Sequence, residues 1–198
     1  MWKPEKHEMT DWDKIWYDDG GSRGGTPENS FVRFASRTFG WEIAKKRFLD
    51  IGSGTGANTL WLEQRGAMVV AIDLSFACRA HYHVDCRTYL TRWGIEPFDC
   101  VLDIKTECHN PAAEDDYRLI HAHLKPGGWL YVMAPTVKHL SVEGGYRQVG
   151  AGKSFTRFAS EWDMRDRLSM FYSVCIRELL EPAGDHLYTS TWCVEAQK

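Results

Sequence analysis

Asp50-Ile51-Gly52-Ser53-Gly54-Thr55-Gly56-Ala57 is the stretch on which the reading of this chain turns. It follows a short apolar run, Arg47-Phe48-Leu49-Asp50-Ile51, with the composition of a buried strand. It precedes Asn58 to Arg65, which the spacing predicts as a helix with Leu60, Trp61 and Leu62 inward, closed by Gly66. Glycine at 52, 54 and 56 lets the chain turn sharply and lets a ligand approach the backbone with no Cβ in the way. A second strand, Met68-Val69-Val70-Ala71-Ile72-Asp73, ends in a carboxylate 21 residues after Gly52, where it can accept both hydroxyls of a ribose. Strand, glycine turn, helix, strand and terminal acid together point to an adenosine-bearing ligand.

Gly52, Gly54 and Ala57 also satisfy G-x-G-x-x-G/A, so a nicotinamide or flavin enzyme is the competing reading. Asp50 separates the two. A dinucleotide loop holds a diphosphate at the helix N-terminus, and a carboxylate two residues ahead of the first glycine repels that anion. A ligand bearing an amino group and a sulfonium is attracted by the same carboxylate.

Upstream, residues 1–29 mix charge, tryptophan and glycine and read as a mobile lid segment carrying Trp12, Trp16 and Tyr17. Ser30 is placed to cap a helix with Phe31, Phe34, Ala35 and Phe39 on one face, stopped by Gly40. Downstream, at most ~2 helical turns fit from Leu74 to Ala80. His81 to Asp85 offers a weak third strand, and Phe98 to Ile104 a clear fourth. Asn110-Pro111 starts a helix carrying Tyr117, Ile120 and Leu124 that ends at Lys125-Pro126-Gly127-Gly128, and Trp129 to Ala134 is a fifth strand. Pro135 to Arg157, with four glycines and no clear period, reads as a long functional loop. Ser160-Glu161-Trp162-Asp163 has the form of a capping box opening a helix towards Phe171. Ser173 to Leu180 and Leu187 to Gln197, linked through Pro182-Ala183-Gly184-Asp185, read as an antiparallel pair. The alternation predicts one α/β domain over residues 1–198. Its fold is Rossmann-like and doubly wound, a mostly parallel seven-stranded sheet finished by an antiparallel C-terminal strand pair.

The chain has 198 residues, with 24 Lys+Arg against 27 Asp+Glu, enough length for a core that needs no disulfide or metal staple. Basic and acidic residues number 13 and 14 in residues 1–99 and 11 and 13 thereafter, so no strong, charge-driven nucleic-acid binding is expected. No stretch reaches the ~18 apolar residues of a membrane span, and Met1 to His7 lacks the apolar core of a signal peptide, so a cytoplasmic protein without membrane contact is expected. The six cysteines form no C-x-x-C pair and read as reduced thiols. His81-x-His83 places two rings on one strand face but has no third ligand at a recognisable spacing, and His121 and His123 do not face each other on a helix. No metal is expected.

With these residues in view, the sequence resembles the class I S-adenosylmethionine-dependent methyltransferases, Phe48 to Gly56 standing as their first motif. Phe98-Asp99-Cys100-Val101-Leu102-Asp103 is similar to the family's fourth strand, and Leu124-Lys125-Pro126-Gly127-Gly128-Trp129-Leu130 to the turn into its fifth. The resemblance implies S-adenosyl-L-methionine as cofactor. It implies Asp50 at the methionine amino group, Gly52, Ser53, Gly54 and Gly56 against the cofactor, and Asp73 with Leu74 at ribose and adenine. Asp85 and Cys86 would lie near the adenine amino group and Asp103 beneath the methionine end, with Trp12 and Trp16 closing over the ligand. The segment between Asp73 and Asp85 is short for the family, so the helix there is expected to be truncated.

Methyl transfer from a sulfonium demands alignment and exclusion of water, and some acceptors also need a base. Asp103-Ile104-Lys105-Thr106-Glu107-Cys108-His109 resembles the D-x-x-x-x-x-H pattern of small-molecule methyltransferases of the thiopurine and tellurite-resistance type, with His109 as the base. The alternative for His109 is packing at a helix entrance. Glu107 and Lys105 read as solvated loop charges, and Arg33 as a solvated helix arginine. The amino-methylating DNA enzymes' Asp/Asn/Ser-Pro-Pro-aromatic run is replaced here by Asp103-Ile104-Lys105-Thr106, and there is no Pro-Cys pair for cytosine-carbon methylation. A small-molecule acceptor stands first and a protein or RNA acceptor second, beside a non-catalytic S-adenosylmethionine-binding partner subunit as the other class of function.

Overall fold

The computed structural model describes residue 13 and residues 25–92, 94–110, 113–136, 146–149, 154–157, 159–184 and 187–198. Five strands run parallel: β1 (Arg47–Ile51), β2 (Met68–Asp73), β3 (Tyr82–His83), β4 (Phe98–Ile104) and β5 (Leu124–Pro135). A short antiparallel ribbon, β6 (Tyr146–Val149) with β7 (Ser154–Arg157), stands apart from the main sheet. The last two strands, β8 (Ser173–Gly184) and β9 (Leu187–Gln197), join the sheet antiparallel and give the order β3-β2-β1-β4-β5-β9-β8. The fold is the expected doubly wound, mostly parallel seven-stranded sheet.

Period-two alternation in the central strands builds two cores, one on each face. Leu49, Val101, Leu130 and Val132 point to the face covered by α3 (Cys86–Leu90), α4 (Ala113–His123) and α5 (Glu161–Arg167), where they meet Tyr89, Tyr117, Ile120 and Met164. Phe48, Cys100, Leu102, Tyr131 and Met133 point to the other face, against Phe31 and Phe34 of α1 (Asn29–Phe39) and Leu62 of α2 (Ala57–Glu63). Phe34 stacks on Tyr131 with ring centroids 4.9 Å apart. Four thiols, Cys78, Cys86, Cys100 and Cys108, are buried in this architecture, Cys193 is half-buried and Cys175 is exposed, all of them free.

Several local expectations are corrected. The N-cap of α1 is Glu28, whose carboxylate accepts from the Ser30 hydroxyl at 3.1 Å, so Ser30 lies inside the helix. In α2 the inward residues are Ala57, Thr59 and Leu62, while Leu60 and Trp61 are only half-buried. Leu74 to Ala80 makes turns and no helix. β5 starts at Leu124, which pairs with Phe98 before a register shift to Cys100 and Trp129, so the Lys125 to Gly128 turn signal is a bulge within the strand. Ser160 does form the capping box of α5, which ends at Arg167. Part of the 135–157 segment is the β6–β7 ribbon rather than loop: strands of four residues show too few periods for alternation to register. Its base is fixed where Thr136 bridges Ala159 and the Trp192 indole donates to the Ala159 carbonyl at 2.7 Å. No helix among the described residues is long and apolar enough to cross a membrane.

Candidate active site

β1 is flanked by β2 on one side and β4 on the other, and the connections from these two neighbours leave in opposite directions across the sheet. A crevice opens where they part, at the carboxyl ends of the strands. There lies a cavity of about 670 Å³, within the range of small-molecule and cofactor sites. Its walls are the end of β1 with the glycine turn, the end of β2, the start of α3 and the segment Ile104 to Asn110.

The glycine turn is held from three sides. Gly52 and Ser53 both donate their N–H to the Ile72 carbonyl, at 2.8 and 3.1 Å. The Gly54 N–H donates to Asp73 Oδ2 at 2.9 Å, and the Ser53 hydroxyl to the Arg79 carbonyl at 2.8 Å. Gly52 has φ +64°, and a Cβ there would lie 2.1 Å from Thr106 Oγ1, which itself donates to the Ile51 carbonyl at 2.9 Å. The segment leaving β4 therefore presses directly on the first glycine, a contact only a residue without a side chain permits.

Asp50 faces the cavity from β1 and is 2% exposed, its Oδ2 accepting from the Thr59 hydroxyl at 2.6 Å. Burial, with a smaller contribution from the nearby Asp73 carboxylate, pushes its pKa up from 3.8 to about 6. No cation among the described residues pairs with it, so the residue suits a ligand that brings its own positive charge. Asp73 also lines the cavity. Its second oxygen accepts the Ser75 N–H at 2.9 Å, which leaves a lone pair on each oxygen for further donors.

Of the residues singled out in the sequence, Asp50, Gly52, Ser53, Gly54, Asp73, Leu74, Asp85, Cys86 and His109 come together around this one cavity. Asp85 caps α3, accepting from the Thr88 N–H and hydroxyl at 2.8 and 2.6 Å. Two residues are placed elsewhere. Gly56 has φ +78° and yields to the Arg79 side chain, which a Cβ would meet at 2.6 Å, so its packing partner is protein. Asp103, 1% exposed, turns beneath the sheet, where it accepts from the Tyr117 hydroxyl at 2.7 Å and the Glu107 N–H at 2.9 Å. Trp12 and Trp16 lie outside the described residues. Between them, Asp13 is buried, and its Oδ1 accepts from the Ser75 hydroxyl and the Phe76 N–H, both at 2.7 Å.

Glu107 was misread from the sequence. It is 4% exposed and lines the cavity, in a 3-10 turn from Glu107 to His109 against which β7 packs. Burial, together with the Asp103 carboxylate, pushes its pKa from 4.5 to about 8. Asn110 Nδ2 donates to Glu107 Oε2 at 2.7 Å and also to Asp116, which takes the Arg87 guanidinium at 2.8 Å. The available signal was positional, since Glu107 lies in the connection leaving a central strand's carboxyl end.

A family profile described as a methyltransferase domain matches residues 28–188. No curated protein matches the sequence. Among solved structures, an S-adenosylmethionine-dependent methyltransferase from Archaeoglobus fulgidus is similar with TM-score 0.66 and 14% identity, over 94% of this chain and 100% of that one. The 1,6-didemethyltoxoflavin-N1-methyltransferase of Burkholderia thailandensis, solved with S-adenosylhomocysteine, aligns with TM-score 0.60 and 16% identity, over 93% of this chain and 87% of that one. TehB from Haemophilus influenzae gives 0.63 and 14%, over 94% of this chain and 66% of that one. These likenesses are of fold. With the profile spanning most of the chain and a cavity built around the glycine turn, Asp50 and Asp73, the protein belongs to the S-adenosylmethionine-dependent methyltransferases.

Proposed function

We propose that the acceptor is a small molecule, taken into the cavity beside Glu107 and His109. The observation that carries this reading is the size of the cavity, about 670 Å³, in the range of small-molecule sites. One of its walls is the Ile104 to Asn110 segment, with β7 packed against the Glu107 to His109 turn, and a volume of this size suits a compact ligand beside the cofactor. The balance of acidic and basic residues adds no basic stripe for RNA.

In this reading Asp50 holds the methionine ammonium, Asp73 accepts the ribose hydroxyls, and Leu74, Asp85 and Cys86 surround the adenine. When bound, the cofactor would supply an electrophilic methyl on its sulfonium, open to in-line attack by the acceptor's lone pair. The chain's own work is to align the two partners and keep water out. Asp13, which accepts from Ser75 and Phe76 close to Asp73 in the chain, supports a lid role for the segment that carries Trp12 and Trp16. Residues 135–157, whose β7 packs against the Glu107 to His109 turn, are assigned to the acceptor side.

Incubating the protein with methyl-labelled cofactor and a cell extract separated into small-molecule, protein and RNA fractions tests the acceptor class. Label is expected in the small-molecule fraction, and label confined to protein or RNA overturns it. Deleting residues 1–24 should leave a folded domain whose methyl transfer falls far more than its thermal stability. Full activity after deletion would remove the lid.

A further inference from the structure

We propose that Glu107 takes a proton from the acceptor through Oε1, and that the acceptor atom is an amine nitrogen. The inference rests on the small-molecule reading and names its chemistry.

Glu107 faces the cavity from a buried position, one residue beyond the Thr106 that presses on Gly52, which places it on the wall nearest the glycine turn. Oε2 is held by Asn110, whereas Oε1 accepts no hydrogen bond among the described residues. The groups around it come from every neighbouring element. Asp103 belongs to β4 and is tied to Tyr117; Asp116 belongs to α4 and is paired with Arg87; Asp85 stands at the start of α3; Lys105 and His109 flank it on its own segment. Arg87 is engaged by Asp116 and Asp115, and with Lys105 as the other lysine or arginine of the lining against Asp50, Asp73, Asp85, Glu107 and Asp116, the cavity is lined by an excess of acids.

This environment discriminates between acceptor atoms. Deprotonating an alcohol or thiol creates an anion beside a now neutral Glu107, and Asp85, with the Arg87-paired Asp116 behind it, opposes that anion. A carboxylate acceptor is repelled before any reaction. Above about pH 8, where Glu107 is ionised, an ammonium is by contrast attracted, and its deprotonation removes charge: the nitrogen becomes neutral and nucleophilic while Glu107 becomes a neutral acid. An ordinary glutamate holds a proton too weakly to compete with an amine. Burial penalises the ion pair relative to the neutral pair, and the proton affinity of Glu107, near pH 8, narrows the remaining gap. The methylated nitrogen then carries the positive charge that sulfur has lost, and the Glu107 proton passes to water as product leaves.

The test uses the full chain saturated with S-adenosylhomocysteine and four probes: phenethylamine, phenethyl alcohol, phenethyl mercaptan and 3-phenylpropionate. Calorimetry at about pH 9, where Glu107 is ionised, should show phenethylamine binding at least roughly tenfold tighter than the others, a preference erased by Glu107→Gln but retained in His109→Gln. S-adenosylhomocysteine affinity should change less than about twofold in either variant. In the wild type, the carbon-13 signal of the Glu107 carboxyl should titrate near pH 8, a readout that depends on no variant folding. Preference for the alcohol, mercaptan or carboxylate, loss of amine preference in His109→Gln instead, or an ordinary carboxyl titration overturns the role of Glu107. Binding of none of the four overturns the small-molecule reading and this proposal with it.

Discussion

Two side chains at the strand ends, Asp50 and Asp73, carry the proposed cofactor contacts, and each can be removed separately. Asp73 joins the glycine turn to β2 through the Gly54 and Ser75 N–H groups and keeps a lone pair on each oxygen for a further donor. Asp73→Ala should therefore weaken S-adenosylhomocysteine binding by roughly 2–4 kcal/mol, measured by calorimetry, with the fold preserved. Gly52→Ala should do worse. The new methyl would be forced against Thr106 from a backbone at φ +64°, so both melting temperature and cofactor affinity should fall, and a companion Thr106→Gly should restore part of each. The placement of Asp50, Gly52 and Asp73 at one cavity was legible in the sequence because it follows from spacing along two adjacent strands. That of Glu107 and Asp103 was not, because both are buried by partners further along the chain: Tyr117 of α4 holds Asp103 at the end of β4, away from the cavity lining, and Asn110 holds Glu107 at the cavity.

Long, strongly patterned elements were the ones that sequence periodicity located well. β1, β2, β4 and the β8–β9 pair occupy their expected places, since continuous apolar runs between glycines leave few alternatives. Short pieces were set by tertiary contacts instead: Glu28 displaced Ser30 as cap, and its own N–H is held by Asn58 Oδ1 at 2.8 Å, a partner thirty residues away that no local pattern announces. The connection after β2 is the most instructive case. Too short for a helix, it is organised by side chains, with Asp13 accepting from Ser75 and Phe76, and Phe76 stacked on His83 at 4.3 Å. Asp13→Ala leaves those two donors without this acceptor. The Phe76 amide should then exchange with solvent at least about tenfold faster, while S-adenosylhomocysteine affinity falls less than it does in Asp73→Ala.

For the molecule as a whole, buried acids at the cavity make stability depend on pH in an uncommon sense. The folded chain holds protons on Asp50 up to about pH 6 and on Glu107 up to about pH 8, whereas the unfolded chain releases them at 3.8 and 4.5. Between those limits the folded state binds more protons, so the stability of the ligand-free protein falls as pH rises from about 4 to about 8 and levels off beyond. Its melting temperature should drop over that window. Asp50→Asn should flatten the Asp50 part of the slope while abolishing tight binding of S-adenosylhomocysteine, and a melting temperature that climbs from about pH 5 to about pH 8 would contradict the burial of these acids. The distribution of the thiols gives the same molecule a chemical clock. Cys175 is exposed, whereas burial keeps Cys78 protonated up to about pH 12 and raises Cys86, Cys100 and Cys108 as well. A thiol-alkylating reagent followed by mass spectrometry should thus mark Cys175 at once and reach Cys100, inside the sheet, only when the whole domain opens. Cys86, on the cavity wall, should be marked at an intermediate pace that S-adenosylhomocysteine slows, so the order of alkylation reports ligand occupancy and global unfolding from one sample.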